Sequence, residues 1–329
     1  MRVVRSRDQY AAAVAAARRE AAAAFGDDTV LVERYVERGR HLEVQVLADT
    51  HGHVVHLFER DCSSQRRHQK VVEEAPGPTV TPELRERMTR AAVDLARQVG
   101  YVNAGTVEFL LDADTGEFFF LEMNTRLQVE HPVTEAICGG LDLVELQLRV
   151  AAGEPLPFTQ EELTLQGHAI EARVYAEDAF GGFLPQAGTA VLVRWPRPDG
   201  VPVRVDHALE SGQVVSTAYD PMLGKVIVHG PDRESARRAL VAALDDTGIL
   251  GLTTNVGFLR ALVAGDAFRD AAVDTTWLDR HDLPAPPRTW PGWSRPGPMC
   301  WCSGSPRRPG RSRPTAGGWP VRPRLSPSP

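Results

Sequence analysis

Residues Glu122-Met-Asn-Thr-Arg-Leu-Gln-Val-Glu130 constrain this chain most. Every second residue is polar (Glu122, Asn124, Arg126, Gln128, Glu130), and those between are apolar except Thr125. An extended backbone sends alternate side chains to opposite faces. One face would then carry two carboxylates, two amides and a guanidinium. A solvated strand face usually carries Lys, Thr and Glu. Five polar groups without Lys, running straight into His131-Pro132, read as a functional site instead.

The preceding residues supply a partner for that strand. Thr106–Leu111 and Glu117–Met123 read as a hairpin around Asp112-Ala-Asp-Thr-Gly116. A symmetric five-residue turn puts Leu111 opposite Glu117 and Glu108 opposite Phe120, with Glu122 diagonal to Glu108 on the same face. Diagonal partners lie roughly 7–8 Å apart, so the two carboxylates can converge on one ion. With the Asn124 amide they form an all-oxygen set, which suits Mg²⁺ or Mn²⁺ better than zinc. Mg²⁺ usually brings substrate phosphates with it, and this implies a nucleoside triphosphate site. A second cluster, Arg60-Asp-Cys-Ser-Ser-Gln-Arg-Arg-His-Gln-Lys70, reads as a cationic loop. Beside a carboxylate-rich hairpin, such a loop suits phosphoryl transfer, which needs positive groups around the developing charge.

The rest of the chain alternates helix and strand. Asp8–Phe25 reads as an Ala-rich helix with Asp8 as N-cap. Thr29–Tyr35, His41–Ala48 and Val54–Phe58 read as strands. Thr81–Val99 reads as a helix capped by Thr81, opened by Pro82 and ended by Gly100. Further helices are expected at Pro132–Cys138 and Leu143–Ala152. Beyond Gly153 strands are expected at His168–Ala176, Thr189–Trp195, Val201–Val205 and Gly224–Val228, then helices at Arg233–Asp245 and Asn255–Ala264.

Composition excludes several classes. The chain has 329 residues, 43% of them hydrophobic and 24% charged, as in an ordinary globular protein. Its four cysteines are too few and too scattered for a disulfide framework. No apolar run reaches membrane-span length and no signal peptide opens the chain, so the cytoplasm is the expected compartment. A net charge of −6 argues against nucleic-acid binding. The segment from Pro284 to Pro329 departs from this pattern, with eight Arg, thirteen Pro and no acidic residue. It is expected to be disordered. It could serve as a basic arm, but it reads better as GC-rich DNA translated in a shifted frame, and no function is assigned to it.

Two long motifs carry a resemblance. Glu-Arg-Asp-Cys-Ser-Ser-Gln-Arg-Arg-His-Gln-Lys-Val-Val-Glu-Glu-Ala-Pro (59–76) and Glu-Met-Asn-Thr-Arg-Leu-Gln-Val-Glu-His-Pro-Val-Thr-Glu (122–135) look like biotin carboxylase. This is the ATP-grasp carboxylase component of acetyl-CoA and propionyl-CoA carboxylases, and the similarity runs from Met1 to about Arg280. The implied fold is α+β: a partial ATP-grasp domain with an antiparallel sheet and flanking helices, then a carboxy-terminal α+β domain. The implied divisions are 1–36 (remnant of the lid subdomain), 37–154 (ATP-grasp core), 155–283 (carboxy-terminal domain) and 284–329 (tail). The implied reaction turns ATP, bicarbonate and biotin into ADP, phosphate and carboxybiotin through carboxyphosphate, as a step of fatty acid biosynthesis.

By position, the resemblance implies that Glu108, Glu122 and Asn124 hold two Mg²⁺ or Mn²⁺ ions. Lys70, Arg126, Gln128 and the Val129 backbone would hold bicarbonate. Glu130 would deprotonate it, and Arg173 would stabilise the biotin enolate. Glu33 and Val36 would flank the adenine, while His41, Gln65 and His68 would line the nucleotide site. No Met-Lys-Met motif is present, so biotin would arrive on another chain or domain, with a carboxyltransferase acting next. The family commonly dimerises through this part.

Departures from the family are few. Gly39, Ser64 and Arg34 stand where Pro, a larger apolar residue and Lys are usual. Family members begin well upstream, with a Gly-rich loop over the ATP phosphates. The resemblance starts where that loop ends, which implies an N-terminal truncation and turnover only when the missing part is supplied. The alternative is a catalytically incompetent remnant that at most binds nucleotide or a carboxylase subunit.

Overall fold

The computed structural model describes residues 2–67, 69–197 and 202–285. The tail expectation therefore falls almost wholly outside the described residues, as does His68. The fold is α+β, as expected. Its frame is one wholly antiparallel eight-stranded sheet built from β1 (Gly39–Ala48), β2 (Val54–Arg66), β3 (Gln69–Ala75), β4 (Asn103–Asp112), β5 (Phe118–Asn124), β6 (His168–Tyr175), β7 (Val203–His207) and β8 (Met222–Gly230). The spatial order is β7-β8-β6-β3-β2-β1-β4-β5. The β3–β6 pairing, Val72 opposite Ala172 and Glu73 opposite Glu171, joins the two halves of the chain into this one sheet.

Helices cover the sheet where their apolar stripes dictate. Helix α1 (Arg7–Phe25) buries none of its residues and ends at Gly26 in the left-handed conformation, φ 74°. Its Ala content is what makes it helical. Helix α2 (Pro82–Gln98) starts where the Thr81 hydroxyl accepts the Leu84 N–H at 3.2 Å. Met88, Ala92 and Ala96, spaced four apart, lie on one face and pack on Leu42, Val44, Val107 and Phe109. Helices α3 (His131–Ile137) and α4 (Leu143–Ala151) bury Val133, Ile137, Leu143 and Leu146 against Leu47, Leu57 and Ala169. Helices α5 (Arg233–Asp246) and α6 (Val256–Ala264) close a third core over Val72, Ile170, Val226 and Val228.

Five expectations are corrected. Ser6, not Asp8, stands at the N-cap of α1, and it makes no side-chain cap. Thr29–Tyr35 forms no strand, because no neighbouring strand pairs with it; Leu31 stays 82% exposed. The Arg60–Lys70 segment is not a loop but the end of β2 and the start of β3, turning at Arg67. Thr189–Trp195 breaks into two short strands, Gly188–Ala190 and Leu192–Arg194, which pair with different partners. Finally, β5 ends at Asn124, so the alternation through Glu130 outlasts the strand that predicted it.

Candidate active site

The β4–β5 hairpin is tighter than a symmetric turn predicts. Leu111 pairs with Phe118 and Phe109 with Phe120, and a one-residue bulge then sets Glu108 directly opposite Glu122. A bulge inserts one extra residue on one strand and re-aims the side chains beyond it. Register continues across the sheet, with Glu43 on β1 facing Glu108 on one side and Arg60 on β2 on the other. Four strands thereby present Arg60, Glu43, Glu108 and Glu122 in one transverse row.

Of this row, Glu108 and Glu122 line a hollow of about 530 Å³. All five alternating polar residues, Glu122, Asn124, Arg126, Gln128 and Glu130, line it, with Lys70, His41, Val129 and Arg173. The last three of the five reach it from an irregular segment between β5 and α3. At the acidic pole, the Asn124 Nδ2 donates to Glu108 Oε1 at 3.0 Å and to Glu122 Oε1 at 3.1 Å. One point thus lies within about 3 Å of both carboxylates. The two carboxylates offer oxygens only, as a hard divalent cation requires, while the Asn124 amide turns its nitrogen toward them and its oxygen to Arg126.

The opposite pole is cationic. Lys70 Nζ donates to Glu130 Oε1 at 2.7 Å and to Glu108 Oε1 at 3.4 Å, and it also pairs with Glu43. Arg173 donates from Nη2 to Glu130 Oε2 at 2.9 Å and from Nε to Glu73 Oε1 at 2.5 Å. Glu130 is thus held on both oxygens. Arg126 is exposed and among the described residues makes only long bonds, to Asn124 Oδ1 at 3.3 Å and Leu127 O at 3.4 Å.

Beneath the hollow, Arg60 is fully buried. It donates to Gln45 Oε1 (2.8 Å), Thr134 Oγ1 (3.0 Å), Glu43 Oε2 (3.0 Å) and Gln128 Oε1 (2.8 Å). Gln128 in turn donates to Glu108 Oε1 at 2.8 Å. His41 Nε2 meets Glu108 Oε2 at 2.8 Å. Burial alone would disfavour charge on these groups, but the opposite charges outweigh it. Glu43 is held below the ordinary carboxylate range by Lys70 and Arg60, and Glu108 is brought to about 2 by His41 and Lys70. Lys70 and Arg173 are raised well above their ordinary values by the surrounding carboxylates, despite burial.

Three expected nucleotide residues lie elsewhere. Glu33 is exposed and Val36 half-buried in the irregular stretch before β1, and Gln65 is buried opposite Lys70 in the β2–β3 pair; none lines the hollow. The cationic cluster divides as well. Arg60 is a buried hub, Arg66 stacks over the Phe183 ring at 3.6 Å, and among the described residues of that run Arg67, Gln69 and Lys70 line the hollow. Sequence reading missed Glu43, Glu73 and Glu171. His41, Glu43 and Gln45 alternate just as residues 122–130 do, so that signal was present; Glu73 and Glu171 carry none.

Comparisons with known proteins agree with this geometry. Residues 1–159 match the carbamoyl-phosphate synthase L chain ATP-binding domain, and residues 171–280 match the biotin carboxylase C-terminal domain. The chain is 52% identical over 281 residues to the mitochondrial methylcrotonoyl-CoA carboxylase subunit alpha of Oryza sativa subsp. japonica, covering 85% of this chain and 38% of that protein. It is 49% identical over 296 residues to chloroplastic biotin carboxylase 1 of Populus trichocarpa, covering 88% and 55%. These relatives are named for organelles, whereas composition alone pointed to the cytoplasm. No helix among the described residues is long and apolar enough to cross a membrane. The biotin carboxylase domain dimer of Hydrogenobacter thermophilus 2-oxoglutarate carboxylase, solved with MgADP and bicarbonate, superposes with a TM-score of 0.77 at 42% identity, covering 85% of this chain and 61% of that one. The chain thus spans between two-fifths and three-fifths of the proteins it matches. With both domain models matched in order, and the predicted acidic and cationic residues gathered in one hollow, the chain belongs to the biotin carboxylase family.

Proposed function

We propose that this chain serves the ATP-dependent carboxylation of biotin by bicarbonate, through carboxyphosphate, with biotin delivered on a separate carrier. The observation that carries this reading is the convergence of Glu108, Glu122, Asn124, Lys70, Arg126, Gln128, Val129, Glu130 and Arg173 on one hollow. Glu108, Glu122 and Asn124 are the groups that would hold Mg²⁺, or Mn²⁺ in its place, as a pair of ions that neutralise phosphate charge. Lys70, Arg126, Gln128 and the Val129 amide would hold bicarbonate, the Arg fork matching its planar shape. Glu130 takes the bicarbonate proton, which is a base's work at hydrogen-bond range. A bicarbonate oxygen then bonds to the γ-phosphorus as ADP leaves. Arg173, set beside Glu130, would stabilise the negative ureido oxygen of the biotin enolate.

For ATP, His41 stands at the metal pole, while Glu33, Val36, Gln65 and His68 are assigned to the nucleotide by resemblance. We read 37–154 as the nucleotide-binding core and 155–283 as the carboxy-terminal domain. Homodimerisation, a carboxyltransferase partner and an acyl-CoA carboxylase setting belong to the same proposal. The test is ADP release with ATP, Mg²⁺, bicarbonate and biotin, each omitted in turn, beside calorimetric titration of Mg-ATP and bicarbonate. Both ligands should bind, and ADP release should require bicarbonate. Failure of both to bind, or ADP release indifferent to bicarbonate, overturns the reading.

A further inference from the structure

The Gln128–Val129 peptide is held from outside the hollow by a residue that none of the roles above employs. Its carbonyl oxygen accepts twice from His131, from the backbone N–H at 3.3 Å and from ring Nδ1 at 2.9 Å. A carbonyl can only accept, so Nδ1 carries the proton. The peptide is trans, and a trans amide points its N–H opposite to its C=O. The Val129 N–H is therefore turned away from His131. Val129 lines the hollow, and among the described residues its N–H donates to nothing. The next peptide is held as well, by Lys225 Nζ, which donates to the Val129 carbonyl at 2.6 Å.

Both holders are anchored. His131 Nε2 stands 3.7 Å from Glu135 Oε1, and Glu135 accepts the Leu143 N–H at 2.9 Å and Arg204 Nη1 at 2.6 Å. Lys225 lies 3.5 Å from Asp206 Oδ2 and 4.0 Å from Glu171 Oε2. A backbone donor left without an acceptor is costly unless something else takes it up. Fixing it in advance avoids reorganisation when an anion arrives.

We propose that His131 and Lys225 are positioning residues that aim the Val129 N–H into the hollow as a donor to bound bicarbonate. This rests on the reading of the hollow as a bicarbonate site. Without the imidazole, the Gln128 carbonyl keeps only the 3.3 Å bond from the His131 backbone N–H, and the 128–129 peptide turns its carbonyl dipole toward the anion more readily. His131→Leu keeps the bulk but loses the ring donor, whereas His131→Asn keeps an N–H donor on the side chain.

The test is titration with [¹³C]bicarbonate, with Mg-ATP affinity measured in parallel and the Val129 amide followed by ¹H–¹⁵N correlation. In the unsubstituted protein, the Val129 amide proton should shift downfield on binding. His131→Leu should weaken bicarbonate by about 10- to 100-fold, the size of a lost hydrogen bond to a charged group. His131→Asn should recover most of that loss, and Mg-ATP affinity should change less than about twofold, since the nucleotide does not use this donor. An unmoved Val129 resonance in the unsubstituted protein, with bicarbonate bound, overturns the inference whether or not the variants fold. So does His131→Leu binding bicarbonate normally, or losing ATP affinity in step with it. A protein that binds no bicarbonate at all overturns the reading of the hollow, and this inference with it.

Discussion

Lys70 Nζ stands 2.7 Å from Glu130 Oε1, joining β3 to the segment between β5 and α3 across 60 residues of chain. Arg173 occupies the other oxygen of Glu130 at 2.9 Å. The carboxylate thus faces the hollow between two cations, the setting in which a bound anion can hand over a proton while its own negative charge stays matched.

Replacing Glu130 by Gln keeps the shape and removes the proton acceptor. Bicarbonate-dependent ADP release should fall on the order of 10²–10⁴-fold, the usual share of a general base. Mg-ATP binding by calorimetry should stay near that of the unsubstituted protein. Turnover that survives the change removes Glu130 as the base.

Arg126 is exposed and among the described residues makes only bonds of 3.3 and 3.4 Å, so the fold does not depend on it. Arg126→Ala should leave the unfolding free energy within ~0.5 kcal/mol of its starting value. It should weaken bicarbonate by about tenfold or more, because a charge-assisted fork is lost. A large loss of stability with unchanged bicarbonate affinity would reverse the assignment.

Arg60 is the opposite case. It is fully buried and serves Glu43, Gln45, Thr134 and Gln128 at once. Arg60→Met fills much of the space but leaves Glu43 with Lys70 and His41 as its remaining cationic partners among the described residues. Breaking a buried pair from one side costs about 3–5 kcal/mol. Urea denaturation should report a loss of that order; a loss below ~1 kcal/mol would mean that Glu43 finds another partner.

Glu73 and Glu171 face each other across β3 and β6, both fully buried. Glu73 Oε2 and both Glu171 oxygens have no hydrogen-bond partner among the described residues. Burial pushes both carboxyls up, Glu73 to about 7 against the pull of Arg173, and Glu171 well above the ordinary range. The folded state therefore keeps a proton that the unfolded chain releases. The stability this contributes is complete below the ordinary carboxyl pKa and is lost as pH rises, through about 7 for Glu73 and through the raised pKa of Glu171. Glu171→Gln cannot ionise, so its melting temperature relative to the unsubstituted protein should rise from about pH 5 to about pH 8. A difference that is flat with pH would show that the pair is not protonated.

Much of this site could be read from one dimension. Alternation at residues 122–130 picked out five side chains that do line the hollow: Glu122 and Asn124 by strand spacing, a property of the chain itself, and Arg126, Gln128 and Glu130 from the irregular segment after β5. Helix α2 was legible end to end, since Thr81, Pro82 and Gly100 act on their immediate neighbours. Register was not legible. The bulge that brings Glu108 opposite Glu122, rather than diagonal to it, lies in the strand pairing beyond the turn, at the step from Phe109–Phe120 to Glu108–Glu122.

What the sequence determined by itself was the inventory and its family: which acids, amides and cations are present, and in what order. Tertiary structure decided which of them meet. Arg60 and Lys70 look alike in one cationic run. Only the pairing of β2 with β1 sets Arg60 beside Glu43 and under Thr134 and Gln128, while the β2–β3 turn leaves Lys70 at the hollow. Charge assignments obey the same division, because a carboxyl such as Glu171 is ordinary in sequence. Only burial without a hydrogen-bond partner makes it hold its proton.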